Sequence, residues 1–73
     1  MPSFASRLRE LRLTKNMKQT DLAVLLNCNV KTIQRYESGF SEANFTTLFS
    51  LSDYFNVSLD YLVGRSDVKE EKR

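Results

Sequence analysis

Residues 19–39 read QTDLAVLLNCNVKTIQRYESG, and this stretch decides the fold. Its first part places apolar side chains at Leu22, Ala23 and Leu26, three and four residues apart. That spacing puts the three side chains on one face of a helix, so the sequence predicts a helix over 19–26.

The end signals that follow predict a second helix over 30–37. Asn27 tolerates the left-handed backbone that closes a helix, Asn29 is a favourable N-cap, and Gly39 is a favourable stop. Ile33 is expected to be the buried anchor of this helix. Because only three residues separate the two helices, the chain must cross sharply, as in a helix-turn-helix.

Outside this segment the same signals predict three more helices. They are expected over Phe4–Lys15, Phe45–Phe55 and Leu59–Val63, with Ser3, Asn44 and Ser58 as N-caps. No run shows the alternation of a strand. The chain is therefore expected to be all-α, with a five-helix domain over residues 1–64 and a charged, flexible tail over 65–73.

Size and composition exclude several classes of protein. A chain of 73 residues with 41% apolar and 27% charged residues is one globular domain and not a disordered segment. It has no His, no paired carboxylates beside a base and no glycine-rich phosphate loop, so we expect no enzyme, no metal site, no cofactor and no small-molecule ligand.

The cellular setting follows from what the sequence lacks. No run resembles a signal peptide or a membrane span, which predicts a cytoplasmic protein, either complete or a trimmed domain, that contacts no membrane. Cys28 is the single cysteine and has no partner for an intramolecular disulfide. We interpret it as a small core residue, with a redox switch as the alternative.

Charge is distributed unevenly along the chain. Residues 1–35 hold seven basic and two acidic side chains, a balance of +5, whereas residues 36–73 have a balance of −3. Such a chain can present a basic face to a polyanion while its overall charge stays low. Solvated helix faces would produce the same pattern, so charge alone leaves both interpretations open.

The second helix of the opening segment carries side chains suited to the major groove. With Ile33 facing inward, its outward positions hold Val30, Lys31, Thr32, Gln34 and Arg35. Basic side chains donate to guanine edges, glutamine bonds adenine, and methyl groups contact thymine. An ordinary solvated helix surface remains the alternative on composition alone.

The whole segment resembles the lambda-repressor-like helix-turn-helix family, also called the Cro/repressor or XRE type. That family reads Q-x-x-L-A-x-x-x-G-V-S-x-x-x-I-S-x-x-E-x-G, which residues 19–39 follow closely. Residues 7–12 and 48–64 resemble the family's first helix and its fourth and fifth helices. The resemblance covers residues 4–64 and implies a sequence-specific regulator of transcription, expected to be a bacterial or phage repressor that binds double-stranded DNA.

The resemblance also implies which residues contact DNA. Base contacts are expected from Val30, Lys31, Gln34 and Arg35, with Lys31 and Arg35 on guanine edges. Phosphate contacts are expected from six residues: Lys18, Gln19, Thr32, Ser38, Ser41 and Asn44. Arg12 and Glu37 match a structural ion pair of the family and are assigned to the scaffold.

Three departures from the family pattern affect this interpretation, and one of them is Cys28, which replaces a small aliphatic residue. Asn27 replaces the usual Gly, which the turn should tolerate at a small cost. In the loop after Gly39, relatives often carry basic residues for phosphates, but this chain has Phe40 and Glu42. Non-specific affinity should therefore be weaker.

Proteins of this kind usually bind palindromic sites as dimers, so we expect a homodimer. Five aromatic residues, Phe45, Phe49, Tyr54, Phe55 and Tyr61, are expected to lie mostly in the core, with Tyr61 and Val63 forming the dimer surface. The competing hypothesis is a protein-interaction module of the same fold that binds another regulator instead of DNA.

Overall fold

The computed structural model describes residues 2–69 and confirms an all-α fold. Within this range the chain forms five helices: α1 (Phe4–Thr14), α2 (Gln19–Leu26), α3 (Val30–Ser38), α4 (Phe45–Phe55) and α5 (Leu59–Leu62). Three ends differ from the predicted ones by a single residue. Lys15 and Val63 are C-caps outside α1 and α5, and α3 runs on through Ser38.

Side-chain caps begin four of these helices. The predicted N-caps each accept a backbone N–H from the residue three positions on, at 2.9–3.3 Å: Ser3 from Ser6, Asn29 from Thr32, Asn44 from Thr47 and Ser58 from Tyr61. The start of α2 is different because the side chain of Lys18 has no acceptor. There the Asp21 carboxylate accepts the backbone N–H of Lys18 at 2.8 Å, so the cap comes from inside the helix.

Left-handed residues close the turns, at Asn27 and Gly39 as the sequence predicts and also at Asn56 between α4 and α5. Asn27, Asn56 and Gly39 have φ values of 54°, 55° and 83°. Asn16, in the link between α1 and α2, adopts φ 56° as well. Asn enters this region more readily than other residues with a Cβ atom, which explains why three of the helix connections contain one.

The core is assembled from all five helices. Leu8, Leu22, Ile33, Leu51 and Leu62 are each fully buried. Helix α3 packs against both α1 and α2, while α5 packs against α1 and α4. Because Ile33 faces this core, the opposite side of α3 must face solvent.

The aromatic residues of α4 correct one prediction. Leu48, Leu51 and Phe55 form the stripe of α4 that packs into the core. Side chains that lie off this stripe remain at least 42% exposed: Phe45, Phe49 and Tyr54. They are surface residues and not core residues.

Tyr61 also differs from the prediction, in the opposite sense. Its side chain is only 7% exposed and belongs to the core, so it forms no surface patch with Val63, which is half-buried. The guanidinium of Arg7 lies 3.7 Å from the centroid of its ring. Burial raises the pKa of the phenol, although the nearby Arg7 charge acts in the other direction.

The chain beyond α5 was expected to be flexible, but residues 65–69 are tied to the domain. Arg7 is buried and donates to the carbonyl oxygens of Tyr61 and Ser66 at 3.1 and 3.2 Å. Ser58 donates its backbone N–H to the carbonyl of Lys69 at 3.1 Å. The rest of the predicted tail, residues 70–73, lies outside the described residues.

Candidate nucleic-acid interface

A buried ion pair fixes α3 against α1. Arg12 Nε lies 2.7 Å from Glu37 Oε2, and Arg12 Nη2 lies 2.9 Å from Glu37 Oε1. The two side chains are 9% and 5% exposed. Hydrogen bonding to Glu37 raises the pKa of Arg12 although burial acts against it. This two-pronged geometry gives the pair directional strength, so the angle of α3 is held rigidly.

Two further contacts extend the pair to α2. Arg12 Nη1 donates to the carbonyl oxygen of Met17 at 2.9 Å, in the link before α2. Gln19 Nε2 donates to Glu37 Oε1 at 3.2 Å. The sequence had suggested only a phosphate contact for Gln19. The structure shows that its amide also joins the network that locks α1, α2 and α3 together.

The outer face of α3 is exposed and polar. Lys31, Gln34 and Arg35 are all exposed, on the side of the helix opposite Ile33. Positions three and four apart are neighbours on a helix surface, so these three side chains form one continuous strip. Within residues 2–69 neither Lys31 nor Arg35 forms an ion pair with a carboxylate, and their charges are available to a ligand.

Two shallow grooves meet on this strip. One is lined by Lys31, Gln34, Arg35 and Ser38, with Phe40 at its end. The other runs between α1, the start of α2 and α3, and is lined by Arg9, Arg12, Gln19, Gln34, Glu37 and Ser38. Gln34 and Ser38 border both grooves. The structure thus brings five expected contact residues onto one surface: Gln19, Lys31, Gln34, Arg35 and Ser38.

Arg9 and Phe40 also belong to this surface, although neither was predicted from the sequence. Arg9 is exposed and lies one helical turn before Arg12, a spacing that could have indicated it. Phe40 follows the helix stop at Gly39 and is 79% exposed. Nothing in the sequence shows that its ring faces back toward α3.

The remaining expected contact residues do not line these two grooves. Val30 is half-buried against the core, Thr32 Oγ1 donates to Asn29 Oδ1 at 3.2 Å, and Lys18 is exposed. The loop residues lie apart from the grooves on α3. Ser41 lines a separate hollow beside α1, and the side chain of Asn44 caps α4.

The structure divides the basic side chains of residues 1–35 into a buried group and an exposed group. Of the seven basic side chains in residues 1–35, Arg7 and Arg12 are buried and bonded within the domain. The other five are exposed, and two of them, Lys31 and Arg35, lie on the strip of α3. Part of the apparent excess of positive charge therefore serves the fold and not a ligand.

The described part of the chain offers little support for a metal site, a membrane span or a reactive thiol. Residues 2–69 hold no group of three or more His, Cys, Asp or Glu side chains placed to bind a metal ion. None of their helices has the length and apolar character needed to cross a membrane. Cys28 is half-buried, and burial raises the pKa of its thiol, which disfavours the reactive thiolate.

Known proteins with similar sequences are regulators of transcription. A family model described as Helix-turn-helix matches residues 8–62. The HTH-type transcriptional regulator ImmR of Bacillus subtilis is 33% identical over 94% of this chain. The regulator AnsR of the same organism is 38% identical over 88% of it. The chain spans 54% and 55% of these two relatives, about half of their length.

Solved structures share the fold. A transcriptional regulator from Listeria innocua has a TM-score of 0.82 and 34% identity, covering 97% of this chain and 64% of that one. The P22 c2 repressor, solved in complex with a synthetic operator, also has a TM-score of 0.82. Its 24% identity, over 90% of this chain and all of that one, shows a common fold alone.

The family match covers most of the chain, and the fold is that of its solved neighbours. This family comprises DNA-binding regulators of transcription and is not a family of enzymes. The chain belongs to the lambda-repressor-like, XRE-type helix-turn-helix family of transcriptional regulators.

Proposed function

We propose that this chain binds double-stranded DNA sequence-specifically, inserts α3 into the major groove and acts as a homodimeric repressor in the cytoplasm. One observation carries the proposal. Lys31, Gln34 and Arg35 form an exposed strip on a helix whose opposite face is locked to the core. A rigidly held helix with unpaired donors is suited to base recognition.

The assignment of contacts follows the resemblance to the family, and the shared surface of Gln19, Lys31, Gln34, Arg35 and Ser38 supports it for these five residues. Base contacts are assigned to Val30, Lys31, Gln34 and Arg35. Phosphate contacts are assigned to Lys18, Gln19, Thr32, Ser38, Ser41 and Asn44. Gln19 has a second amide N–H besides the one directed at Glu37, and α2 begins at this residue, where backbone N–H groups favour an anion.

Dimer formation and repression are part of the same proposal. A single domain of this size covers too few base pairs for high specificity, whereas two copies related by a two-fold axis would bind a palindromic operator. Val63 remains in the proposed dimer surface because it is partly exposed, but Tyr61 does not. Occupation of an operator that overlaps a promoter blocks transcription without any further contact, so repression is the simplest outcome.

The test is selection from a random pool of duplex DNA, followed by sequencing, with the wild type and Arg35→Ala. We expect the wild type to enrich a palindrome. Arg35→Ala should lose the preference at one base position in each half-site, a change of about 1–3 kcal/mol at that position. A folded wild type that enriches no sequence would refute the proposal. Light scattering of Val63→Asp tests the dimer surface separately.

One observation favours a second candidate function, binding of another regulatory protein. Phe45 and Phe49 are 75% and 52% exposed and their rings stack 6.3 Å apart, and paired exposed aromatics are typical of protein interfaces. If the chain binds another regulatory protein, the double variant Phe45→Ser and Phe49→Ser should abolish that binding. Arg35→Ala should leave it intact. The same pair of variants therefore separates the two candidates.

A further inference from the structure

The second residue after the end of α3 carries an unexpected side chain. Phe40 is 79% exposed, although an apolar ring of this size gains nothing from contact with water. The guanidinium carbon of Arg35 lies 5.8 Å from the centroid of the Phe40 ring. Cations are attracted to the face of an aromatic ring within about 6 Å of its centroid, so the two side chains are within reach of a cation–π contact.

The backbone ties Phe40 to Arg35. The N–H groups of Phe40 and Ser41 both donate to the carbonyl oxygen of Arg35, at 3.0 and 3.3 Å. Gly39 makes this possible because its φ of 83° turns the chain back over the end of α3. The ring is thus anchored to the residue that its face approaches.

Arg35 has few other restraints on its guanidinium. Within residues 2–69 it forms no ion pair, and its charged end is exposed on the outer strip of α3. A long, exposed arginine samples many rotamers, and binding a base restricts it to one of them at a cost in conformational entropy. A ring that favours one subset of rotamers reduces this loss before DNA arrives.

We propose that Phe40 is a positioning residue that pre-orients Arg35 for its base contact and so helps to set sequence preference. This inference rests on the proposed DNA-binding function and adds a specificity determinant to it. Phe40 lines the same groove as Lys31, Gln34 and Arg35, so its ring lies at the edge of the base-contact surface. The phosphate contact that a basic residue would make here is replaced by an effect on a neighbour.

A positioning role for Phe40 and a direct contact between Phe40 and the DNA backbone predict different effects on base preference. If Phe40 acts through Arg35, its loss should weaken the preference at the one base position that Arg35→Ala also affects. If Phe40 merely packed against the sugar–phosphate backbone, its loss would weaken binding to all sequences alike, because backbone contacts carry no sequence information.

The experiment measures base preference for four proteins: wild type, Phe40→Leu, Phe40→Tyr and Phe45→Leu. Phe40→Leu keeps an apolar side chain but removes the ring, whereas Phe40→Tyr retains an aromatic ring. Phe45→Leu is the matched control because Phe45 is 75% exposed and stacks on Phe49 instead of a cation. Phe40→Leu should reduce the preference at the Arg35 position about two- to fivefold, while the other two variants keep it.

A second measurement on the free protein keeps the test independent of DNA. In the wild type, the NMR signals of the Arg35 side chain near the guanidinium should be shifted upfield by the ring current of Phe40. That shift should vanish in Phe40→Leu and persist in Phe40→Tyr. Circular dichroism of each variant checks that the domain is folded.

The outcomes separate the two hypotheses. A wild type that enriches a sequence, with Phe40→Leu leaving the Arg35 position unchanged or weakening all positions equally, would overturn the positioning role but not the proposed function. A wild type that enriches no sequence would overturn both, and the NMR shift would then show whether the contact between Arg35 and Phe40 exists without a role in specificity.

Discussion

The two faces of α3 use the same kinds of residue for opposite purposes. On the inner face, Glu37 holds Arg12 in a two-pronged ion pair, and both side chains are less than 10% exposed. On the outer face, Lys31 and Arg35 are exposed and form no ion pair within residues 2–69. The difference shows that partners and burial, and not residue type, decide whether a cation serves the fold or a ligand.

This contrast has an energetic basis. A buried charge that loses its partner keeps the cost of desolvation, whereas an exposed charge remains hydrated whether or not it is paired. Changes on the inner face should therefore appear in the free energy of unfolding. Changes on the outer face should appear in DNA binding alone. Variants on each face of α3 test this contrast, and those on the inner face should have the larger effect on stability.

Glu37→Ala should lower the free energy of unfolding by about 3–5 kcal/mol, because it leaves Arg12 buried without its carboxylate. Urea denaturation followed by circular dichroism measures the change. Arg35→Ala is the matched control on the other face of the same helix and should change stability by less than about 0.5 kcal/mol. Equal losses in the two variants would break the contrast.

Arg7→Met should cost about 1–3 kcal/mol of stability, because it removes the buried donors to the carbonyl oxygens of Tyr61 and Ser66. Hydrogen exchange at residues 65–69 should also become faster. The ion pair of Arg7 with Asp67 contributes little, since the Asp67 side chain is 93% exposed. Asp67→Asn should therefore behave like the wild type, and a large loss in that variant would show that the pair matters.

Asn27→Ala should lower the free energy of unfolding by about 1 kcal/mol, because alanine is strained in the left-handed conformation that this residue adopts. Asn27→Gly removes the Cβ atom and should remain close to the wild type. Thermal unfolding of both variants measures the effect. If Ala were tolerated as well as Gly, the turn between α2 and α3 would not depend on this conformation.

The half-buried thiol of Cys28 should make the free energy of unfolding depend slightly on pH. Burial raises the pKa of its thiol in the folded protein, so the folded state keeps a proton that the unfolded chain releases. The contribution to stability is complete below the ordinary thiol pKa of about 8.5 and decreases as the pH rises above it.

The measurement for Cys28 compares urea denaturation at pH 7 with that at a pH of about 9.5, a range that spans the ordinary thiol pKa. The phenol of Tyr61, whose pKa is also raised by burial, acts in the same direction in the wild type and in Cys28→Val alike, because an unfolded tyrosine with a pKa of about 10 is partly ionised at this pH. Cys28→Val should lose less stability than the wild type between the two values. An equal loss in both proteins would show that the thiol is not responsible.

Much of this molecule could be predicted from the sequence because the signals are local. A cap at Asn29 needs only the N–H of Thr32, three residues away, and a left-handed stop at Asn27 or Gly39 depends on the residue itself. The inward position of Ile33 follows from the period of the helix. These features placed the helix ends within a residue and separated the two faces of α3.

The candidate site was predictable in part for the same reason. Lys31, Gln34 and Arg35 share a face through helical spacing alone. The role of Gln19 was incomplete, because its contact with Glu37 joins residues 18 positions apart in the chain. Helical spacing offered a signal for Arg9 but none for Phe40, and the grooves that these two residues line exist only once α1, α3 and the loop after Gly39 are assembled.

The helices, their ends and the sharp turn that defines the family follow from the amino-acid sequence, since these depend on steric and hydrogen-bond preferences over a few residues. Which cations are free depends on the packing of the helices. Arg7 and Arg12 are buried against α5 and α3, whereas Arg35 remains exposed beside Phe40. The same packing places Tyr61 in the core while Phe45 stays outside. Burial and pairing depend on which distant segments meet, and no local pattern in the chain records that.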